Sequence, residues 1–465
     1  MRTFSYIALV LILFLSLAHF LSLALGLDSP LGMVAEWLGE RIERETDPAK
    51  LFILVSVGHG GAPADDGSHA ACLSGDGQWL AFASLASNLI DPRLEPADTN
   101  GHGDVFLYAR DTGRVQRISL TLLGQEANGT SRSPSLAHDG RRVAFESDAN
   151  NLMLGDANGA SDVFVYDLTG GEMWWASVSA ENIPGNLSSY MPSLSADGRV
   201  VAFESDASNL VPGDTNDARD IFIRDLGSST IQRVSVSSDG QEGDGFSIGA
   251  SLSADGQLVV FASSARNLTP DDGDPIGDIF VHDRISGQTK LISVSSERIK
   301  GDRPSGAPMI SADGRYVVFE SLATNLVPGD TNGTSDIFIH DLGRRTTTRV
   351  SISTEGLQAN GDSYLADISA DGRYVAFEST ASNLTADADR ETTNIYWRDL
   401  QTGRTVCISA GAKNALVDEP AKGWANGVTL SADGHWVAFS LMLEPMNPTR
   451  PMPPKTILLR MVPKA

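Results

Sequence analysis

The sequence repeats a motif built around an Asp-Gly pair seven times, and this repeat constrains the fold more than any other feature. Successive pairs are 63, 58, 58, 58, 58 and 62 residues apart. One unit reads ISADGRYVVFES from residue 310, NLVPGDTNG from residue 325, DIFIHD from residue 336 and RVSIS from residue 349. Each unit therefore predicts four short strands, because Asp-Gly favours tight hairpin turns. The seven aspartates are Asp76, Asp139, Asp197, Asp255, Asp313, Asp371 and Asp433.

The apolar pattern of the unit shows how its strands pack. A phenylalanine follows the aspartate by six residues in every unit, and a Leu or Val two residues earlier shares its face at period two. The third strand, for example residues 337–339, is apolar on both faces. Strands buried on both sides belong to sheets that lie between neighbouring sheets, as the blades of a ring do. A helical solenoid is excluded, because no unit contains a useful 3.6-residue period.

The two ends of the repeat predict that the ring closes. The seventh unit has a third strand near residues 457–462 but no fourth. Residues 51–57, which precede the first unit, match the missing strand. Pairing the two would remove two open sheet edges. The sequence thus predicts an all-β, seven-bladed β-propeller over residues 49–463. Its blades would be four-stranded and antiparallel, and the N-terminal strand would complete the last blade.

The same motifs resemble a known family. The phrase SADGRYVAFES from residue 369, with DIFIRDL from residue 220 and RVSVS from residue 233, resembles the TolB-like family of WD-like propeller repeats. The resemblance extends over almost everything after residue 49. It implies an extracytoplasmic propeller that acts as a binding or docking platform, often without catalysis. The resemblance implies, for the TolB proteins themselves, a six-bladed propeller behind a separate N-terminal domain. This chain departs from that architecture, because it has seven units and a short tether.

The N-terminal segment predicts export. Residues 6–26 are almost entirely apolar and follow a single arginine. A run of about 20 apolar residues can span a bilayer, and the same run with small residues at its end suits a cleaved signal peptide. Residues 1–26 are therefore interpreted as a signal peptide or an N-terminal membrane anchor. Residues 27–48 would form a short amphipathic helix or tether. The propeller would be periplasmic or extracellular, or held at the membrane by residues 6–26.

Composition limits the partners of such a domain. The chain has 465 residues and a formal charge of −24, from 35 Lys and Arg against 59 Asp and Glu. Because nucleic-acid affinity comes from basic side chains that neutralise phosphates, a nucleic-acid partner is excluded. The two cysteines fall in strands predicted to lie far apart, which makes a disulfide between them unfavourable. We expect a monomer with a protein or glycan partner, basic if charge guides recognition.

An acidic loop between the second and third strands recurs in five units. Oxygen ligands at its first, third and seventh positions suit a hard cation such as Ca²⁺, although the full EF-hand set is missing. The alternative is a tight loop in which Asp and Asn side chains bond to nearby backbone. The residues are Asp98, Asn100 and Asp104; Asp156, Asn158 and Asp162; Asp214, Asn216 and Asp220; Asp272, Asp274 and Asp278; and Asp330, Asn332 and Asp336.

Two functions remain open from the sequence. Near-uniform repeats without an asymmetric catalytic cluster predict a non-enzymatic docking platform. The alternative is a propeller hydrolase or lyase with its site at the channel mouth. That site would need polar residues that break the repeat, and the irregular connections at 58–68 and 410–427 supply candidates. The second connection contains Asp418, Glu419, Lys422 and Trp424.

Overall fold

The computed structural model describes residues 52–93, 97–412, 423–443 and 456–462. Twenty-eight of the thirty strands in this part of the chain form seven antiparallel sheets of four strands each. The first strand of each sheet contacts the first strand of the next sheet, and the last sheet returns to the first. The protein is therefore a seven-bladed β-propeller, which confirms the predicted fold class.

The strands of each blade follow one another from the centre of the ring to its rim. Blade 1 contains β4 (Ser68–Leu73), β5 (Trp79–Ser84), β6 (Asp104–Ala109) and β7 (Arg114–Arg117). Blade 2 contains β8 (Ser131–Leu136), β9 (Arg142–Ser147), β10 (Asp162–Asp167) and β11 (Glu172–Trp175). Blade 3 contains β12 (Ser189–Leu194), β13 (Val200–Ser205), β14 (Asp220–Asp225) and β15 (Thr230–Arg233). Blade 4 contains β16 (Ser247–Leu252), β17 (Leu258–Ser263), β18 (Asp278–Asp283) and β19 (Gln288–Leu291).

The remaining blades repeat this order. Blade 5 contains β20 (Ser305–Ile310), β21 (Tyr316–Ser321), β22 (Asp336–Asp341) and β23 (Thr346–Arg349). Blade 6 contains β24 (Ser363–Ile368), β25 (Tyr374–Ser379), β26 (Asn394–Asp399) and β27 (Thr405–Cys407). Blade 7 contains β28 (Gly423–Leu430), β29 (Trp436–Leu443), β30 (Thr456–Met461) and β1 (Phe52–Leu54).

The N-terminal strand closes the ring as predicted. β1 pairs antiparallel with β30, with Phe52 opposite Arg460. The strand is shorter than the seven residues expected from the sequence, in keeping with the three or four residues of the other rim strands. The chain then forms a small hairpin of β2 (Val57–Gly58) and β3 (Ala62–Pro63), joined by a 3₁₀ turn over His59–Gly61.

Two rings of contacts between blades lie on the face that carries the Asp-Gly hairpins, which we call the turn face. In the first ring, a backbone N–H at each hairpin donates to a carbonyl of the next blade. Together these hydrogen bonds form a closed circle through all seven blades. The pairs are Gly75 to His138 (2.9 Å), His138 to Ala196 (2.9 Å), Ala196 to Ala254 (2.9 Å), Ala254 to Ala312 (2.9 Å), Asp313 to Ala370 (3.2 Å), Ala370 to Ala432 (2.9 Å) and Ala432 to Gly75 (2.8 Å).

In the second ring, the side chain that opens the second strand of each blade packs on the glycine of the next Asp-Gly pair. Tyr316, for example, lies so close to Gly372 that a Cβ there would be 2.1 Å from its ring. The interior of each blade is aromatic as well. Phe203 and Phe222 stand opposite each other on adjacent strands with ring centroids 6.0 Å apart. The core is thus divided into seven clusters, most of them shared by two neighbouring blades.

The predicted leader and tether, residues 1–48, lie outside the described residues. Within the residues that the structure describes, none of the helices has the length and apolar character needed to cross a bilayer.

Candidate functional site: the acidic loops

The five acidic loops lie on the opposite face of the ring, beside the connections between blades; we call this the loop face. Each loop ends on the first residue of a third strand, where a buried aspartate is fixed by a serine two residues beyond the end of the fourth strand. In blade 3, Ser235 Oγ donates to Asp220 Oδ1 at 2.5 Å and accepts the N–H of Ile221 at 3.1 Å. Burial raises the pKa of Asp220, and the hydrogen bond from Ser235 opposes the rise. The last loop aspartate therefore joins the third strand to the segment that follows the fourth.

An arginine of the fourth strand closes the loop of blade 3. Arg233 Nη1 lies 3.0 Å from Asp214 Oδ1, 3.3 Å from Asp220 Oδ2 and 2.9 Å from Glu242 Oε2 of the following connection. The side chains of Asp214 and Arg233 are 4% and 9% exposed, so this cluster is screened from water. Burial raises the pKa of Asp214 to about 6, with a further rise from Asp220 and an opposing effect of Arg233.

The same arrangement recurs in blades 1 and 5. Arg117 Nη1 lies 3.5 Å from Asp98, 3.2 Å from Asp104 and 3.0 Å from Glu126. Arg349 Nη1 lies 3.5 Å from Asp330, 3.1 Å from Asp336 and 2.6 Å from the Oε1 atom of Gln358. Burial raises the pKa of Asp98 to about 6 and also raises that of Asp330. In three loops, then, a guanidinium lies where the sequence predicts a metal ion.

Blade 4 uses a lysine instead. Its fourth strand ends in Leu291, and Lys300 reaches in from the connection. Its Nζ atom lies 2.5 Å from Asp272, 2.8 Å from Asp274 and 2.9 Å from Asp278. Burial works against its charge, but hydrogen bonds to these carboxylates raise the pKa of Lys300. The three aspartates form the one group of metal-type ligands found among the described residues, with ligand atoms within 4.8 Å of one another.

The loop asparagines have their oxygens turned to backbone. Asn216 Oδ1 accepts the N–H of Ala218 at 3.0 Å. Its Nδ2 donates to Asp220 Oδ2 at 3.0 Å and to the carbonyl of Gly243 at 2.9 Å. Asn158 and Asn332 repeat this pattern, and Asn100 accepts the N–H of His102. The loops therefore contain acidic clusters that can hold a cation, while calcium at them stays a prediction.

Blade 2 differs from the other four. Its fourth strand has Trp175 at the arginine position, and its connection has Pro184 where Glu126, Glu242 or Lys300 stands. Asp162 still accepts a hydrogen bond from Ser177 at 2.5 Å. Asp156, however, has both carboxylate oxygens buried without a hydrogen-bond partner. Burial raises the pKa of Asp156 to about 6, and the nearby charge of Asp162 adds to the rise.

Negative charge is not confined to the loop face. The turn face carries the seven Asp-Gly aspartates and the five that end third strands: Asp167, Asp225, Asp283, Asp341 and Asp399. Several of these are paired; Arg373 contacts Asp399 at 2.8 Å and, by hydrogen bonding, holds its pKa at about 2. Asp399 also accepts the N–H of Gln401 at 2.9 Å. These aspartates stabilise turns, so negative charge lies on both faces of the ring.

The irregular connections named for the enzyme alternative are described only in part. Asp418, Glu419 and Lys422 lie outside the described residues. Trp424 lines a cavity of about 420 Å³ with Arg390 and Glu391. In the other connection, His59 Nε2 lies 3.7 Å from Asp91.

Neither cysteine is prepared for nucleophilic chemistry, since burial raises the pKa of both Cys72 and Cys407 to about 11. Both thiols are free, as the predicted separation of their strands requires.

The cations that close the loops were missed by the sequence reasoning. A signal for them exists, because Arg117 and Arg233 are each followed nine residues later by a glutamate. In blade 4 the arginine position is the neutral Leu291, and the glutamate position is the basic Lys300. Such paired substitutions indicate that the two positions contact one another, and the structure brings both to the acidic loop.

Comparison with known proteins supports the fold but does not assign the chain to a family. No protein-family model matches the sequence, and no curated protein matches it. Among solved structures, an oligogalacturonate lyase in complex with manganese is similar over 89% of this chain and 96% of its own, with a TM-score of 0.51 and 12% identity. The β-propeller domain of the Trilobed protease from Pyrococcus furiosus, with an open velcro topology, is similar over 85% and 94%, with a TM-score of 0.51 and 13% identity.

A putative TolB from Agrobacterium tumefaciens is also among these structures. The similarity covers 76% of this chain and 96% of that one, with a TM-score of 0.39 and 15% identity. The neighbours thus include TolB proteins and another β-propeller. At these identities the similarity concerns the fold alone.

Proposed function

We propose that the protein is a non-catalytic docking platform that holds a partner with basic groups on its loop face. The observation that carries the proposal is the repetition of the acidic clusters. The same aspartates recur at the same place in five neighbouring blades, so charged groups are spread around the ring and do not converge on one reacting centre. Each of these clusters holds more carboxylates than cations, as Asp214, Asp220 and Glu242 do around Arg233. The loop face therefore keeps negative charge that suits recognition of an extended basic partner, whereas catalysis needs a few groups within hydrogen-bond reach of one bond. The platform would be exported, as the N-terminal sequence predicts.

The test combines capture with charge variants on the two faces. Purified protein would be used as bait in an envelope extract, and the recovered proteins or glycans would be identified by mass spectrometry. Asp148 and Asp206 follow second strands on the loop face and have side chains 46% and 33% exposed. We expect the double variant Asp148→Asn and Asp206→Asn to lose the partner and the turn-face variant Asp139→Asn to retain it. A partner lost equally with both variants, or none recovered at all, would contradict the proposal.

A second candidate function is a hydrolase or lyase, which the cavity beside Trp424 favours. An aromatic ring, a guanidinium and a carboxylate line it together, and these groups suit an acidic sugar or peptide substrate. The oligogalacturonate lyase is a propeller enzyme of similar fold, but fold alone does not transfer activity. The discriminating assay offers oligogalacturonate and peptide substrates to the protein. Turnover that falls at least tenfold in Glu391→Gln and Arg390→Met would establish the enzyme and remove the docking proposal.

Calcium is the cofactor proposed for the loops. To bind at Asp272, Asp274 and Asp278 it would have to displace Lys300, which now neutralises them. We expect a calcium-dependent rise in Tm that is larger in Lys300→Met than in the natural sequence, because that variant frees the three carboxylates. An unchanged Tm in both proteins, with no heat in calorimetric titration, would contradict the calcium prediction.

A further inference from the structure

The acidic loops of blades 1, 3, 4 and 5 each contain a cationic side chain from their own blade or its connection. The cation is a guanidinium in three blades, from Arg117, Arg233 and Arg349, and an ammonium in the fourth, from Lys300. Blade 2 has Trp175 and Pro184 at the two positions that supply these cations. No cationic side chain of the described chain lies within ion-pair distance of Asp156 or Asp162. Blade 2 therefore has the acidic half of the cluster without the basic half.

The acidic groups of blade 2 differ in how they are satisfied. Asp162 Oδ1 accepts from Ser177, and its Oδ2 accepts from Asn158 Nδ2 at 2.8 Å. Asp156 has two buried oxygens with no hydrogen-bond partner. A buried carboxylate without a partner costs free energy that a matching cation would recover. Of the two carboxylates in this loop, only that of Asp156 lacks hydrogen-bond partners.

A cavity with apolar and polar walls adjoins the unmatched loop. It has a volume of about 370 Å³ and is lined by the neighbouring Gly155, by Met153, Trp175 and Pro184, and by Arg224. The guanidinium of Arg224 is engaged with the protein, since it donates to the carbonyls of Val178 and Ser179, each at 3.2 Å, and to Asn182 Oδ1 at 3.3 Å. Trp175 connects the two features, since its ring lines the cavity and its Nε1–H donates to Ser177 Oγ at 3.1 Å. An indole face and aliphatic walls suit the alkyl stem of a long basic side chain, whose charged end needs a carboxylate.

We propose that the blade 2 loop is a recognition site for an arginine or lysine side chain of a partner. The side chain would place its cationic group at Asp156, where the other blades hold their own guanidinium or ammonium, and its stem along Trp175. This site would be one contact point between the docking platform and its partner, so the proposal rests on that proposed function. It assigns one blade of the ring to recognition.

The donor set of blade 2 favours an organic cation over a metal ion. Calcium requires six to eight oxygen ligands. Here Asn158 directs its Nδ2 towards Asp162, and its Oδ1 already accepts the N–H of Ala160 at 3.0 Å. Both oxygens of Asp162 are engaged as well, which leaves the two oxygens of Asp156. One carboxylate is enough to pair with a guanidinium or an ammonium.

The test uses two peptides that differ only in charge. Acetyl-Leu-Arg-amide carries the guanidinium, and acetyl-Leu-citrulline-amide is its neutral analogue of similar shape. Calorimetric titration and the shift in Tm would measure binding to the full chain and to three variants. Trp175→Arg supplies the cation within blade 2, and Asp156→Asn removes the unmatched charge. Asp214→Asn is the matched control, because the equivalent aspartate of blade 3 is already paired with Arg233.

We expect the arginine peptide to bind the natural sequence at least tenfold more tightly than the citrulline peptide. Both blade 2 variants should lose at least tenfold in affinity, while Asp214→Asn should change it less than twofold. Trp175→Arg should also raise the Tm without peptide. If that variant does not fold, Asp156→Asn decides alone.

Three results would overturn the site. The first is equal binding of the two peptides. The second is that Asp214→Asn weakens binding as much as Asp156→Asn does. The third is that the arginine peptide does not bind, while Ca²⁺ binds the natural sequence and its binding is lost in Asp156→Asn. The docking platform fails separately. If an envelope partner is still captured by Trp175→Arg, the platform holds and its recognition lies on other blades.

Discussion

Substituting Gly372 by alanine tests whether the blades pack as a closed ring. Gly372 is buried, has φ of +72°, and belongs to the Asp-Gly hairpin of blade 6. An added Cβ would lie 2.1 Å from Cδ2 and 2.7 Å from Cγ of Tyr316 in blade 5. A tyrosine ring cannot yield at these atoms without moving as a whole. The substitution therefore strains the backbone and forces two blades apart at once.

The two costs can be separated with a control. An L-residue in the left-handed region costs about 1–2 kcal/mol, and overpacking a well-filled interior costs about 1–3 kcal/mol. Gly333 has nearly the same φ, +69°, but a Cβ there would meet no atom within 4 Å. We expect Gly333→Ala to cost about 1–2 kcal/mol and Gly372→Ala to cost about 2–5 kcal/mol.

The assay is equilibrium unfolding in urea at 25 °C, followed by tryptophan fluorescence and far-UV circular dichroism. Coincidence of the two signals shows whether one transition is being measured. A Tyr316→Ala background removes the overpacking but leaves the backbone strain. In that background Gly372→Ala should cost no more than Gly333→Ala does in the natural sequence. If Gly372→Ala and Gly333→Ala cost the same in the natural sequence, the inferred packing of Tyr316 on the next blade is wrong.

Three further outcomes follow from the ionisable groups. Arg233→Met should cost about 3–5 kcal/mol by leaving buried carboxylates unpaired, whereas Arg93→Met, with a side chain 78% exposed, should leave the free energy of unfolding almost unchanged in the same urea assay. Stability should rise as the pH is lowered from about 7 to 4, since Asp98, Asp156 and Asp214 have pKa values of about 6 in the folded protein and near 3.8 when unfolded. The folded state binds more protons in that interval, so the free energy of unfolding falls as pH rises through it and levels above pH 6; a Tm that falls on acidification to pH 5 would contradict this. Both thiols should react with a disulfide reagent at pH 8 at least tenfold more slowly than free cysteine, because a pKa of about 11 leaves little thiolate, and should react fully after denaturation.

Much of the fold could be read from local patterns. Phe203 and Val201 occupy one face of a strand because side chains alternate at period two. Asp-Gly turns are specified by the residues that form them, and seven copies of one unit predict seven blades. The strand at residues 52–54 could be assigned to the last blade because it matches the fourth strand that unit seven lacks.

Only the acidic half of the candidate site could be predicted from the sequence. The acidic residues are adjacent in sequence, so their loop was evident, and so was the possibility of a cation among them. The cation itself comes from Arg233, thirteen residues after Asp220, or from Lys300, twenty-two residues after Asp278. Nothing local distinguishes these side chains from solvent-exposed basic residues. The gap in blade 2 is harder still, because Trp175 looks like one more aromatic residue of a strand.

The sequence by itself determined the strands and the turns, which depend on alternation and turn chemistry within a dozen residues. It also determined the number of blades, which follows from the seven copies of the repeat. Tertiary structure decided which charges meet. Pairing of the third and fourth strands and the path of each connection bring Asp214, Arg233 and Glu242 together, with the first two nearly buried and Glu242 25% exposed. A nearly buried aspartate needs a partner, because little water is left to solvate its charge. For the same reason the missing partner of Asp156 becomes visible only in the folded chain.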